Sequence, residues 1–110
     1  MAADVLLVLS TFPNIETARR ISRQLVEEHC AACANILAQV ESVYWWEQKV
    51  ESGDEALVWF KTSRDRYAAF ETTLRQLHPY EVPEIIALPI DSGLPEYLEW
   101  VAANCRTNDE

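Results

Sequence analysis

Seven consecutive residues, His78-Pro79-Tyr80-Glu81-Val82-Pro83-Glu84, restrict this chain more than any other stretch. Pro79 and Pro83 each fix φ near about −65° and drive His78 and Val82 into extended geometry, so neither a helix nor a paired strand can run through them. The segment must be a stiff connector. It nevertheless carries an imidazole, a phenol and two carboxylates, and it feeds the apolar run Ile85 to Ile90. A rigid loop loaded with polar groups is where binding sites collect.

The rest of the chain arranges itself on either side. Val5 to Leu9 is an unbroken apolar run, the pattern of a central strand. Phe12-Pro13-Asn14 breaks it and offers Asn14 as a helix N-cap, with Glu16 in the first turn. Ile15, Ala18, Ile21, Leu25 and Val26 then recur at helical spacing, and this first helix is expected to end near His29. After Cys30-Ala31-Ala32-Cys33 the period drops to two. From Asn35 to Trp46 one face collects Ile36, Ala38, Val40, Tyr44 and Trp46, and the other takes Leu37, Gln39, Glu41, Val43 and Trp45. The reversal is expected at Ser52-Gly53-Asp54, and Glu55 to Thr62 forms the third strand. Ser63 is expected to cap a second helix whose buried stripe is Tyr67, Phe70, Leu74 and Leu77. Ile85 to Ile90 is a fourth strand that Pro89 confines to an edge, and Pro95 to Asn104 is a closing helix.

This order predicts an α+β, ferredoxin-like βαββαβ domain spanning residues 1–110, with an extra C-terminal helix and a long hairpin of its second and third strands. The first and third strands take the centre, and the first two helices share one face. At about 1.5 Å per residue those helices cannot cover a ribbon rising about 3.3 Å per residue, so the hairpin protrudes. Tyr44-Trp45-Trp46 would lie exposed on it, which identifies them as an interface.

Composition narrows the partners. A formal charge of −9, from 18 acidic against 9 basic residues, repels phosphate backbones and anionic membranes, so no nucleic acid and no membrane insertion are expected. The start, Met1-Ala2-Ala3-Asp4, has no basic leader pattern, and three cysteines make an odd count. Both point to a cytoplasmic chain with reduced thiols.

Five motifs in order carry a family resemblance: Cys33-Ala34-Asn35-Ile36, Tyr44-Trp45-Trp46-Glu47, Phe60-Lys61-Thr62-Ser63, His78-Pro79-Tyr80-Glu81-Val82-Pro83-Glu84-Ile85 and Tyr97-Leu98-Glu99-Trp100. Together they resemble the CutA family of divalent-cation tolerance proteins over nearly the whole chain. The resemblance implies a homotrimer built through long hairpins, similar in architecture to PII signalling proteins, with clefts between subunits and a link to copper tolerance. Because no nucleophile and base pair can be assigned in the sequence, the chain reads as a binding or signalling module, with an enzyme as the weaker alternative. A small-molecule- or anion-binding PII-like regulator is the alternative.

The candidate ligand residues are Lys61, His78, Tyr80, Glu81, Glu84 and Cys33. Copper-site residues proposed for the family are a thiol after the first strand and two adjacent histidines before Pro-Tyr. Here those positions hold Ser10, Leu77 and His78, which leaves His78 as a weak copper(II) ligand helped by carboxylates or water. Cys30 and Cys33 form a C-x-x-C at a helix C-terminus, where the dipole disfavours a reactive thiolate; structural packing is the expected role, with a half site completed across subunits as the alternative. An acylphosphatase-like enzyme shares the order of elements, but Ser10 to Glu16 contains neither the glycine nor the arginine of a phosphate-cradling loop. An RNA-recognition domain also shares it, yet Asn35 to Trp46 holds no Lys or Arg.

Overall fold

The computed structural model describes residues 4–107. Met1 to Ala3, on which part of the localisation argument rests, lie outside them. The elements are β1 (Val5–Phe12), α1 (Ile15–Glu27), β2 (Cys33–Trp46), β3 (Lys49–Ser63), a 3-10 turn over Arg64–Arg66, α2 (Tyr67–Leu77), β4 (Ile86–Pro89) and α3 (Pro95–Asn104). They form one antiparallel sheet in the order β2-β3-β1-β4. β1 and β3 are central and Pro89 sits on the edge strand, where its missing N–H costs no interior ladder bond.

The helix-covered face is the core. Leu6, Val8 and Phe12 from β1 meet Ala56, Val58 and Phe60 from β3 beneath Ile21, Leu25, Phe70 and Leu74 of α1 and α2. Phe60 and Phe70 pack edge to face with centroids 5.0 Å apart. α3 lies apart from this core, closing one end of the sheet with Val5, Ala32, Leu98, Val101 and Cys105. The remainder of that second face is open. Leu37, Trp59, Ile86 and Leu88 stand on it at 41% to 51% exposure.

Local chemistry explains most boundaries. Asn14 caps α1, its Oδ1 accepting from Thr17 N–H at 2.8 Å. α1 stops at Glu27, two residues earlier than its apolar spacing predicts, because His29 turns into the left-handed region at φ 60° and starts the run into β2. β1 runs on to Phe12, since Ser10 and Thr11 still have partners in Val58 and Leu57. Ser63 does not cap a backbone N–H; its hydroxyl donates to Asp65 Oδ1 and a 3-10 turn precedes α2.

The hairpin departs most from the sequence pattern. Its reversal is Glu47-Gln48, and Gly53 lies mid-strand opposite Ser42. Both turn residues have positive φ, 48° and 69°, the two-residue geometry whose twist matches the flanking strands. Extending the ladder gains pairs such as Trp45 with Val50 and Trp46 with Lys49, which outweighs the turn propensity of Ser52-Gly53-Asp54. A bulge between Leu37 and Val40 also inserts one extra residue in β2. Beyond it the faces exchange, so Ile36 lies on the helix side while Val40, Tyr44 and Trp46 lie on the open side. The molecule measures 47 × 27 × 22 Å, long because the hairpin projects beyond the helices.

Ser10 Oγ is fully buried on the helix side and has no hydrogen-bond partner. A buried orphan hydroxyl costs free energy that an apolar group does not. Ser10→Ala is expected to raise stability by about 1 kcal/mol in urea denaturation, on the usual cost of such a group. A loss of stability would show that the hydroxyl is satisfied in solution.

Candidate functional site

The connector turns around the end of β1 and packs there through His78. The imidazole is 7% exposed and stacks on Phe12 with centroids 4.7 Å apart and planes 17° from parallel. Its Nδ1 accepts from Tyr80 N–H at 3.1 Å, so the ring proton lies on Nε2, which donates to the Thr11 carbonyl at 2.8 Å. Both nitrogens are committed. A metal at His78 would have to displace one of these two bonds.

Burial holds the His78 imidazole below its ordinary range, opposed by the Thr11 carbonyl and by the Glu55 carboxylate. In the unfolded chain the ring takes its proton near about pH 6.5. Between that pH and the lower folded value the unfolded state binds more protons, so acid destabilises the fold. The urea midpoint is expected to fall more steeply between about pH 7 and about pH 5.5 in the wild type than in His78→Phe. Equal slopes would mean that His78 is not desolvated.

Tyr80 reaches across to β3. Its hydroxyl donates to Glu55 Oε2 at 2.6 Å, and burial followed by this carboxylate pushes the phenol up, which keeps it a donor. Glu55 is the residue that sequence reasoning missed. It stands 25 positions from Tyr80, and no spacing or motif joins the two. Glu81 and Glu84 are exposed on the outer side of the connector.

Lys61 belongs to another part of the sheet. It pairs with Leu7 of β1 and Cys33 of β2, and its ammonium donates to Asn35 Oδ1. Leu88 shares the row of Leu7, whereas Glu84 precedes Ile86 at the far end of β4, with β1 between the two strands. Within one chain Lys61 and Glu84 are therefore not brought together. Cys33 is half-buried with Sγ 3.6 Å from the Tyr97 hydroxyl, and burial followed by this thiol pushes the Tyr97 phenol up to about 12. Cys30 points instead into the helix-side core, so the two thiols of the C-x-x-C have separate surroundings. Among the described residues no group of three or more His, Cys, Asp or Glu could hold a metal ion. Tyr44, Trp45 and Trp46 are exposed on the hairpin at 45%, 74% and 61%.

Residues 6–104 match the family model of the CutA1 divalent ion tolerance protein. The chain is 44% identical over 91 residues to Protein CutA of Mus musculus, covering 83% of this chain and 51% of the mouse protein, so it spans about half the length of that relative. It is 44% identical over 98 residues to the Divalent-cation tolerance protein CutA of Thermus thermophilus, covering 89% of this chain and 95% of that one. The crystal structure of CutA from Xylella fastidiosa superposes with a TM-score of 0.91 at 41% identity, covering 94% of this chain and all of the other. The fold of nearly the whole chain thus has its counterpart in a known structure, and the chain belongs to the CutA1 divalent ion tolerance family.

Proposed function

We propose that this chain is a homotrimeric binding protein of divalent-cation tolerance, assembled through the open sheet face and the projecting hairpin. The observation that carries the reading is the exposed apolar surface. Leu37, Trp59, Ile86 and Leu88 line one uncovered sheet face, and Tyr44 and Trp46 emerge on that same side beyond the bulge. A water-soluble monomer rarely leaves so continuous an apolar surface uncovered. Membership of a family named for cation tolerance supports the role. It is a binding role and not catalysis: the perturbed groups of the connector, His78 and Tyr80, spend their hydrogen bonds on the fold itself. No described helix is long and apolar enough to cross a membrane. A reducing, cytoplasmic setting accords with the free thiols of Cys30, Cys33 and Cys105.

Ligands are assigned to the subunit boundary. Glu81, Glu84 and Lys61 meet there only if one chain's connector faces another chain's β3. Copper(II) then binds weakly, through exposed carboxylates and water, because no preformed set of soft donors exists among the described residues. A competitive chelator titration tests this on wild type, Glu81→Gln/Glu84→Gln and Cys30→Ser/Cys33→Ser. The expected affinity is about micromolar or weaker, reduced by the first double substitution and unchanged by the second. A sub-nanomolar site abolished with the cysteines would overturn it.

A further inference from the structure

We propose that the groove between α1 and the outer edge of β2 is a binding site for a small amphipathic monocarboxylate. All of its lining residues come from one chain, along α1 and the start of β2, and none belongs to the connector.

The groove follows from helix periodicity. Arg19, Ser22, Arg23 and Val26 fall at i, i+3, i+4 and i+7 on α1, so they form one face, turned toward Ala34 and Ile36 of the edge strand. The groove is open to solvent along its length and offers a volume of about 560 Å³. That is within the range of sites for small organic molecules, roughly 300–1,000 Å³.

Three features define the occupant. Arg19 and Arg23 line the groove one turn apart, and the only ion pair among the described residues joins Arg64 to Asp4. Two unpaired guanidinium forks side by side, in a chain with twice as many acids as bases, suit the planar bidentate geometry of a carboxylate. Ser22 adds a hydroxyl that is 3% exposed and lacks any hydrogen-bond partner. Buried polar groups are almost always satisfied, and Ser22, unlike Ser10, borders the groove, so its unpartnered hydroxyl is a donor that a ligand oxygen there could take. Val26, Ala34 and Ile36 give the groove an apolar wall, which a bare inorganic anion would leave wet and an alkyl or aryl body would cover. Glu27 lines the same groove and opposes a second negative charge, which selects a monoanion over a dianion.

Octanoate is the probe, titrated into the intact protein by calorimetry and followed in parallel by amide shifts of the isotope-labelled chain. The expected dissociation constant is about 1 mM or tighter, weakened about tenfold or more in Arg19→Gln/Arg23→Gln, both residues being exposed and free of structural bonds. Ser22→Ala, which keeps both arginines, is expected to weaken binding about threefold, the share of one neutral hydrogen bond. Equimolar inorganic phosphate should not compete, and the shifts should centre on residues 32–36 and α1. Any of three results overturns the site: neither heat nor shifts with octanoate, an affinity unchanged in the double variant, or shifts confined to the open face around Leu9 and Trp59.

Discussion

Trp46→Asp is expected to dissociate the proposed trimer into monomers at micromolar concentration. The bulge places Trp46 on the same side as the open sheet face, and the tip of the hairpin carries it beyond the helices. The proposed assembly would cover this side, so the new carboxylate would be desolvated without a partner, at a cost of several kcal/mol per subunit. A complex held near micromolar affinity has only about 8 kcal/mol to lose, so each interface drops below the threshold of association. Within a monomer the same position is solvent, and the substituted chain should keep its secondary structure. Sedimentation velocity at several concentrations separates these cases. A variant that sediments with the wild type would remove the hairpin from the interface.

His78→Ala should destabilise the fold by about 2–4 kcal/mol, the combined loss of a buried aromatic stack and of partners for two backbone groups. The Thr11 carbonyl loses its donor and the Tyr80 N–H its acceptor at once, and Phe12 loses the ring stacked on it. His78→Phe keeps the stack and loses only the hydrogen bonds, so it should fall between the two. Urea unfolding at a fixed protein concentration measures the series. A loss below about 1 kcal/mol for His78→Ala would mean that the connector is held by its prolines alone.

Much of this architecture was legible in the residues. The apolar runs of Val5 to Leu9 and of Glu55 to Thr62 marked the two central strands, and Pro79 and Pro83 defined the connector. What escaped was non-local or a matter of one residue. The bulge adds a single position in β2, which no pattern of Ile36, Ala38 and Val40 reveals, yet it moves Tyr44 and Trp46 to the other side of Ile36. The turn at Glu47-Gln48 has no glycine, and it forms because the cross-strand pairs of Trp45 with Val50 and Trp46 with Lys49 reward a longer ladder. The polar groups of the connector were visible, but their use was not. His78 looked like a ligand from its spacing before Pro-Tyr, whereas the fold turns both its nitrogens toward backbone. Glu55 could be recognised only once β3 had carried it to Tyr80. The separation of Lys61 from Glu84 likewise depends on strand order, a property of the whole sheet.

Assembly through the open face and hairpin can be read from light scattering on the unmodified protein. A single species of three 12.6 kDa chains, about 38 kDa, is expected to persist on dilution to low micromolar concentration. A monodisperse, stable species at 12.6 kDa under the same conditions would contradict it.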